Sequence, residues 1–171
     1  MLTKNKGFTT VELFITLLVL SILVALAADS MKDFVANQKI RATAIEMMSG
    51  LKYAQTEAIK RNGYVRFEPN GNGWKVIYTD TANVDKTIQE KVTEASNKTT
   101  SVVSSSPSIK FTGDGFLSPS GAVEEIQFNN NNAACESTGG TAKCLKLQIG
   151  SGGKLKLCDT AAGAGDVRSC E

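Results

Sequence analysis

Residues 4–30 read KNKGFTTVELFITLLVLSILVALAADS, and this stretch decides how the chain is built. Few polar residues interrupt it between Phe8 and Ala28: Thr9, Thr10, Glu12, Thr16 and Ser21. About 20 consecutive apolar residues are enough for a helix to cross the hydrocarbon core of a bilayer. Lys4 and Lys6 precede the apolar run, as is typical of a segment that starts in the cytoplasm. The stretch therefore predicts a transmembrane helix that carries one carboxylate near its start.

Two ordinary interpretations of this stretch leave the carboxylate unexplained. A cleaved secretory signal peptide is supported by the basic start and by Ala25-Leu26-Ala27, which matches a small-x-small cleavage site. A plain single-span anchor fits the length equally well. A carboxylate at the centre of an inserting helix costs about 2.5–3.5 kcal/mol, and less near its end, so Glu12 needs a reason to be there.

Residues 4–13, KNKGFTTVEL, resemble the processing site of type IV pilins and type II secretion pseudopilins. In that family, prepilin peptidase removes a basic leader after its final glycine, on the cytoplasmic side of the membrane. The resemblance implies a cut between Gly7 and Phe8, with an N-methylated Phe8 as the mature terminus. It also places the family's acid, the fifth residue of the mature chain, at Glu12. The apolar stretch would stay attached and form the core of a filament.

Glu12 has a physical use in such a filament. It lies one helical turn from the new α-amine of Phe8, and it can face the amine of a neighbouring subunit. A buried carboxylate is tolerated when it is paired and costly when it is alone. An acid in the first turn also complements the positive end of the helix dipole. We therefore expect Glu12 to set the register of assembly, and we favour this interpretation over ordinary secretion.

An apolar stripe continues beyond the membrane-spanning stretch. Its members are spaced by three and four residues, as on one helix face: Ile40, Ala44, Met47, Leu51, Ala54 and Ala58. Polar residues lie largely off the stripe: Gln38, Arg41, Glu46, Lys52, Glu57, Lys60 and Arg61. No proline precedes Pro69 and Asn62-Gly63 is a stop signal, so one helix is predicted from Phe8 to Arg61. The stripe predicts packing on a sheet, and its alanines disfavour a two-helix coiled coil.

The rest of the sequence shows short alternating runs separated by turn residues. Tyr64–Glu68 and Trp74–Thr79 predict a hairpin around PNGNG at 69–73. Further strands are predicted at 109–112 and 122–128, and a last hairpin follows from alternating apolar residues: Leu145, Leu147, Ile149, Leu155 and Leu157. Residues 80–108 are polar and weakly patterned. We expect there a loop that is mobile, is functional or contains a short element such as Thr87–Val92.

The cysteines cluster in the last quarter of the chain: Cys135, Cys144, Cys158 and Cys170. None belongs to a Cys-x-x-Cys pair and the N-terminus is of an exported type, so we expect two disulfides in an oxidising compartment. Of the three connectivities that four cysteines allow, we favour the neighbours, 135 with 144 and 158 with 170. A 144–158 bridge stays open, because a three-residue turn in the last hairpin would place Cys144 opposite Cys158. A five-residue turn would place it opposite Thr160 instead.

Several kinds of chemistry are excluded by what the sequence lacks. There is no histidine, which removes Ser-His and Cys-His catalysis and histidine ligation of metals. The run Gly150–Lys154 lacks the glycine spacing, hydroxyl residue and helix of a phosphate-binding loop, so a hairpin turn is favoured. Glu124 and Glu125 would point to opposite faces of a strand and cannot act together. We therefore expect no enzymatic activity, no cofactor, no metal site and no small-molecule substrate.

A DNA interface is the remaining candidate in the C-terminal region. Its cations are Lys143, Lys146, Lys154, Lys156 and Arg168. Lys146, Lys154 and Lys156 are expected to share the polar face of the last hairpin. There they could bind phosphates without sequence preference. Nearby acids dilute this patch: Asp159, Asp166 and Glu171. The whole chain is also nearly balanced, with 19 Lys+Arg against 17 Asp+Glu. A solvated hairpin face is therefore favoured over DNA binding.

The predicted fold class is α+β, a type IV pilin-like fold in which a long N-terminal helix, half transmembrane and half amphipathic, packs on an antiparallel sheet domain with C-terminal disulfides. The expected parts are a leader peptide at 1–7, a transmembrane and polymerisation helix at 8–28, its amphipathic continuation at 29–62 and a periplasmic β-rich domain at 63–171. Residues 55–171 resemble the GspH/FimT group in the order of their motifs. The closing residues, Leu157-Cys158-Asp159 and GDVRSCE at 165–171, look more like those of FimU-type minor pilins than like those of secretion pseudopilins.

The resemblance implies a minor pilin of a bacterial type IV pilus. Such a protein inserts in the inner membrane as a single-pass chain with a periplasmic C-terminal domain. It is cleaved and methylated, and then joins a complex that primes assembly at the fibre tip. The expected partners are other minor and major pilins, prepilin peptidase and the inner membrane. Two alternatives stay open: a minor pseudopilin of a type II secretion system, and a DNA-binding pilin for DNA uptake through the last hairpin.

Overall fold

The computed structural model describes residues 7–80, 82–92, 99–119, 121 and 123–170. Its elements are α1 Thr10–Arg61, β1 Val65–Asn70, β2 Gly73–Thr79, β3 Asp85–Lys91, β4 Thr100–Ser104, β5 Ile109–Phe111, β6 Leu117–Ser118, β7 Glu124–Asn130, a 3-10 helix Glu136–Thr138, β8 Leu145–Ile149 and β9 Leu155–Asp159. The chain divides into two compact units, Met1–Val35 and Ala36–Glu171. The predicted α+β class, with one long helix followed by antiparallel strands, is confirmed.

The first unit contains the N-terminal part of α1, which is apolar almost all round between Thr10 and Leu26. All described side chains from Phe8 to Leu26 are exposed. Phe8 is 74 % exposed and Leu26 is 77 % exposed. A helix that is hydrophobic all round is normally buried by a membrane or by other protein. Among the described residues, no single helix has the length and hydropathy of a membrane span. The segments Thr10–Leu26 and Ser30–Arg61 have the length and hydropathy of a membrane span only when they are taken together, as a pair bent by 45°.

In the second unit, the stripe of α1 forms one wall of the core. All six stripe residues are fully buried, as their spacing predicted. Glu57 lies off the stripe, as expected, but it is only 6 % exposed, which the sequence did not indicate. Its carboxylate accepts hydrogen bonds from Arg61 Nε at 2.8 Å and Lys60 Nζ at 3.4 Å, and the two cations cover it. The Arg61 bond keeps the pKa of the Glu57 carboxyl below its usual value, although burial acts in the opposite direction.

The helix α1 ends where the Asn-Gly signal predicts. Asn62 takes a left-handed backbone conformation with φ 46°. Its N–H bonds the carbonyl of Ile59, and the Gly63 N–H bonds the carbonyl of Ala58. These bonds satisfy carbonyls of the last turn, which have no partner within the helix. The chain then reverses directly into β1.

The strands form two antiparallel sheets. The first has the order β3-β2-β1-β5-β6, and the second has the order β4-β7-β8-β9. The sequence predicted one sheet, so the division into two was not foreseen, and strand β4 was missed in the weakly patterned segment 80–108. That segment contains β3 at the edge of one sheet and β4 at the edge of the other. The element expected at 87–92 corresponds to β3, whereas the sequence Thr-Ser-Val-Val-Ser of β4 lacks the alternation that would have revealed it.

Both sheets and the stripe of α1 share one hydrophobic core. Phe67 and Phe111 from the first sheet and Phe128 from the second are fully buried in it. Trp74 packs closely against α1 at Gly50, where an added Cβ would lie 2.6 Å from the indole ring. Glycine at position 50 therefore lets the largest side chain of the first sheet approach the helix backbone.

One side chain of α1 connects turns of both sheets. The Gln55 amide donates hydrogen bonds through Nε2 to Gly115 O at 2.8 Å and to Gly153 O at 3.2 Å. Gly115 lies between β5 and β6 of the first sheet, and Gly153 lies between β8 and β9 of the second. The Leu117 N–H also bonds Ser151 O at 3.0 Å and joins the same turns directly. The positions of the two sheets therefore depend on the turn at Gly153, whose φ is 73°.

A Gly153→Ala substitution tests this connection. An alanine Cβ would lie 2.2 Å from Gly115 O and 2.3 Å from Gln55 Nε2, in a left-handed conformation that disfavours side chains. We expect the free energy of unfolding to fall by about 2–4 kcal/mol, from backbone strain and lost hydrogen bonds. Urea unfolding of the full chain in detergent, followed by the fluorescence of the single tryptophan, measures this loss.

Gly150→Ala in the same turn is the matched control. Its Cβ would meet only Lys154 O, at 3.8 Å, within 4 Å, and its φ is not positive. We expect its stability to change by less than about 1 kcal/mol. Equal losses in the two variants would contradict the role given to Gly153.

Candidate functional site

Thr9 caps the N-terminus of α1 and so fixes where the helix begins. Its Oγ1 accepts a hydrogen bond from the Glu12 N–H at 3.3 Å, and its carbonyl accepts one from the Leu13 N–H at 3.1 Å. The spacing Thr-x-x-Glu is that of a capping box, in which the hydroxyl satisfies a backbone donor of the first turn. Gly7 and Phe8 precede the cap, so the peptide bond between them lies outside the helix.

The Glu12 carboxylate lies in the first turn of α1 and is exposed. Among the residues that the structure describes, it has neither a hydrogen bond nor an ion pair, although Thr9 holds its backbone. Phe8, Val11 and Ile15 beside it are apolar and exposed, and Thr9 and Thr16 are its hydroxyl-bearing neighbours on the same helix face. The site is therefore an anion with no counter-charge among the described residues, on a mainly apolar surface, and it can accept a cation there.

The last hairpin is closed by a five-residue turn at 150–154. Ile149 pairs with Leu155, so the three-residue turn considered from the sequence, with Ile149 opposite Gly153, is not adopted. The Gly150 N–H bonds Lys154 O at 2.9 Å and closes the turn. In this register Cys144 lies opposite Thr160, and both Cys144 and Cys158 are available to other cysteines.

Two disulfides hold the C-terminal region: Cys135–Cys144 and Cys158–Cys170. This is the pairing of neighbours that the sequence favoured. The second bridge attaches the end of the chain to the outer face of β8 and β9, where Gln148 Nε2 bonds Cys170 O at 3.1 Å. The chain's own C-terminal segment therefore occupies part of the face on which the DNA-binding lysines were expected.

Acids neutralise two of the five candidate DNA-binding cations. Lys146 Nζ lies 3.1 Å from Glu125 Oε2 on β7, and Arg168 Nη2 lies 2.7 Å from Asp166 Oδ2. The Lys146 bond lowers the pKa of the Glu125 carboxyl, and the Arg168 bonds lower the pKa of the Asp166 carboxyl to about 2. Both acids are thus ionised at neutral pH and offset the charge of their partners.

The other three cations do not form one patch. Lys143 and Lys154 are exposed at opposite ends of β8, and Lys156 is half-buried on the outer face of the hairpin. The Lys143 backbone N–H bonds Asn37 Oδ1 at 3.0 Å, which ties that loop to α1. This arrangement favours a solvated face over a phosphate-binding surface. Among the described residues, no cluster of three or more metal-ligating side chains is present either.

Sequence reasoning missed two features of these sites, for different reasons. The capping role of Thr9 follows from the spacing Thr-x-x-Glu at 9–12, a signal that the sequence displays. The pairing of Lys146 with Glu125 depends on the register between β7 and β8, in which Lys146 lies opposite Gln127. No local signal in the sequence fixes that register.

Known families and structures resemble this chain over most of its length. Residues 43–153 match the family model described as type II transport protein GspH. A crystal structure of the type IV minor pilin FimU of Pseudomonas aeruginosa is similar at 16 % identity, over 72 % of this chain and 91 % of that chain, with a TM-score of 0.58. A second crystal form of that protein gives 17 % identity over 68 % and 90 %, with a TM-score of 0.53. The structural likeness supports the pilin-like fold described above.

The pairing of the cations predicts how removal of the acids alters DNA binding. In the double variant Glu125→Gln/Asp166→Asn, Lys146 and Arg168 lose their partners and can contact phosphates. We expect tighter binding than wild type at low salt, and a plot of log affinity against log salt that is steeper by about 2. Gel shifts over a salt series measure both quantities.

Asp114→Asn/Glu136→Gln is the control with the same change in net charge. Neither of these carboxylates bonds a cation among the described residues. We expect its salt dependence to match that of wild type. If the plot of log affinity against log salt were already as steep for wild type as for Glu125→Gln/Asp166→Asn, the neutralisation of Lys146 and Arg168 would be contradicted.

Proposed function

This chain belongs to the family of type II transport protein GspH, and we propose that it functions as a minor pilin of a bacterial type IV pilus. The proposal rests on the Glu12 carboxylate, which has no partner among the described residues and lies on a helix with exposed apolar side chains. Once that helix is buried, the carboxylate requires a cation from another molecule. A neighbouring subunit that polymerises through the same helix can supply one.

Maturation would create this cation. Prepilin peptidase would cut between Gly7 and Phe8, remove residues 1–7 and leave an α-amine at Phe8, which is then methylated. The local backbone supports this step, because Thr9 starts the helix only after the Gly7–Phe8 bond. Proteases cut chain segments that are exposed and outside regular structure.

Assembly would bury the Phe8 amine of one subunit beside the Glu12 carboxylate of the next. Removal of one member of a buried ion pair leaves the other charge uncompensated, which costs about 3–5 kcal/mol. Subunits that stack with the wrong stagger would carry this cost, so the ion pair would select one register. Thr9 supports this role because it satisfies the backbone of Glu12 and leaves the carboxylate free for the neighbour.

The expected parts of the chain each have a place in this proposal. Before assembly, residues 8–28 would span the inner membrane, 29–62 would continue the helix and 63–171 would lie in the periplasm. The partners would be other minor pilins and the major pilin, in a complex at the tip of the fibre. The similarity of the fold to FimU, a type IV minor pilin, supports the pilus over other assemblies.

A minor pseudopilin of a type II secretion system is the second candidate function. The description of the matched family, which names type II transport, favours it. Both functions would use the same N-terminal site, so they are separated by phenotype rather than by the geometry of Glu12.

Mass spectrometry of the protein purified from membranes tests the maturation step. We expect a chain that starts at methylated Phe8, and we expect Gly7→Val to leave the precursor uncut. Ala25→Leu alters the small-x-small site of a secretory signal and serves as the control, because it should not change the mature terminus. A chain that starts at Ala28 or Asp29 would contradict the proposal.

Glu12→Gln tests the role of the carboxylate in assembly. The variant keeps the shape of the side chain and the cap but loses the charge, so we expect normal insertion and cleavage with incorporation into sheared pili reduced at least 10-fold. Thr9→Val is the matched control, since it loses the capping hydroxyl and keeps the carboxylate. It should lose about 1 kcal/mol of helix stability and still be incorporated.

Piliation and protein secretion are measured in the same strains. Loss of pili with normal secretion supports the pilus, whereas loss of secretion alone would favour the second candidate function. Wild-type incorporation of Glu12→Gln would remove the assigned role of the carboxylate in either system.

A further inference from the structure

The face of α1 opposite the buried stripe is exposed to solvent in the second unit. Exposed residues follow one another along it at alternating intervals of three and four: Ala42, Ile45, Ser49, Lys52, Thr56 and Ile59. We call this set the outer seam. Its two isoleucines are 51 % and 54 % exposed. Because helices pack on one another in coiled coils with this alternate spacing, the outer seam has the pattern of a helix-packing surface.

The small members of the outer seam allow a second helix to come close. They recur at every seventh position: Ala42, Ser49 and Thr56. The Ser49 hydroxyl donates to the Glu46 carbonyl at 2.7 Å, and the Thr56 hydroxyl donates to the Lys52 carbonyl at 2.8 Å. Since both hydroxyl donors are satisfied within α1, apolar groups of another molecule can cover these side chains without leaving an unpaired donor.

The charges on the outer seam and at its borders are all positive. Lys52 lies in the middle of the seam, and Arg41 and Lys60 lie at its two ends. Lys52 and Arg41 have no ion pair among the described residues. The acids of α1 after Ile40 lie off the seam and already bind cations: Glu46 pairs with Lys91 at 3.1 Å, and Glu57 pairs with Lys60 and Arg61. The outer seam therefore lacks the anions that would complement it.

We propose that the outer seam packs against an acidic helix of a different subunit, with a carboxylate of that helix beside Lys52. This inference rests on the proposed function, in which the chain assembles with other pilins, and it names the chemistry of the partner. A second copy does not fit, because parallel helices would bring Lys52 to Lys52 and antiparallel helices would bring Arg41 to Lys60. One charged residue within a packing seam selects the partner through the pairings that it rejects.

The length of the outer seam determines where the contact is effective. From Ala42 to Ile59 it covers about five helical turns, or about 25 Å. A seam this short, with small residues and one lysine, gives weak binding between chains that are free in solution. The same contact becomes effective when both chains are held side by side, because their effective concentration is then high. It therefore suits subunits that share one membrane before assembly.

A synthetic helical peptide is the probe for this surface, and it is added to the full chain in detergent. The peptide has about 21 residues, with leucine and alanine along one seam and glutamate at the central seam position and on both borders. A second peptide has lysine in place of each glutamate. We expect the glutamate peptide to bind more weakly as salt is raised, and the lysine peptide not to bind. Fluorescence anisotropy of the labelled peptides measures both.

Arg41→Glu/Lys52→Glu should reverse this preference. We expect the variant to bind the glutamate peptide at least 10-fold more weakly than wild type and to bind the lysine peptide, a gain that a misfolded chain would not show. Lys143→Glu/Lys154→Glu is the matched control, with the same change in net charge at exposed positions outside α1, and it should behave like wild type. No binding of the glutamate peptide to wild type, or equal binding to both double variants, would overturn the proposal.

A photo-cross-linking amino acid at position 49 identifies the occupant in cells that assemble pili. We expect a product with a different pilin, joined at a helix that carries carboxylates, and we expect Arg41→Glu/Lys52→Glu to abolish it. Fibres that contain this chain without such a product, or with a product of two copies alone, would overturn the inference and leave the proposed function standing. Absence of the chain from fibres would contradict the proposed function, and the peptide measurements would still decide whether the outer seam binds an acidic helix.

Discussion

The carboxylate of Glu12 is the constraint on which the N-terminal half of this chain depends. Thr9 satisfies the backbone of Glu12 and leaves its side chain without a partner among the described residues, on a helical segment, Thr10–Leu26, that is mostly apolar and exposed. Such a helix has to be buried, and a lone buried anion is costly. Cleavage before Phe8, the start of the helix at Thr10 and polymerisation are linked in the proposed function because the cleavage supplies the missing cation.

The second unit has a different physical character, since most of the charged side chains among its described residues form ion pairs. Arg66 bonds Asp85 at 2.7 Å, Lys91 bonds Glu46 at 3.1 Å, and Lys146 bonds Glu125 at 3.1 Å. A surface of this kind exerts little net attraction on a polyanion. This pairing of charges gives no support to a nucleic-acid interface on the second unit.

The sequence predicted those parts of the fold that depend on periodicity or on local signals. The stripe from Ile40 to Ala58 and the end of α1 at Asn62-Gly63 were recovered because spacing and turn chemistry are local. Strand β4 was missed because it is short and does not alternate. The burial of Glu57 and the register of the last hairpin depend on side-chain pairing and turn geometry, which a single sequence leaves open. The same limit applies to the DNA site, where only the register showed that Glu125 lies beside Lys146.

The distance between the Phe8 amine of one subunit and the Glu12 carboxylate of its neighbour tests the central claim most directly. A cryo-electron microscopy structure of the assembled fibre, at a resolution that shows side chains, would measure it. The account predicts a nitrogen–oxygen separation below about 4 Å, with no water between the two groups. A Glu12 carboxylate that faces lipid or solvent, or that pairs only within its own chain, would contradict it.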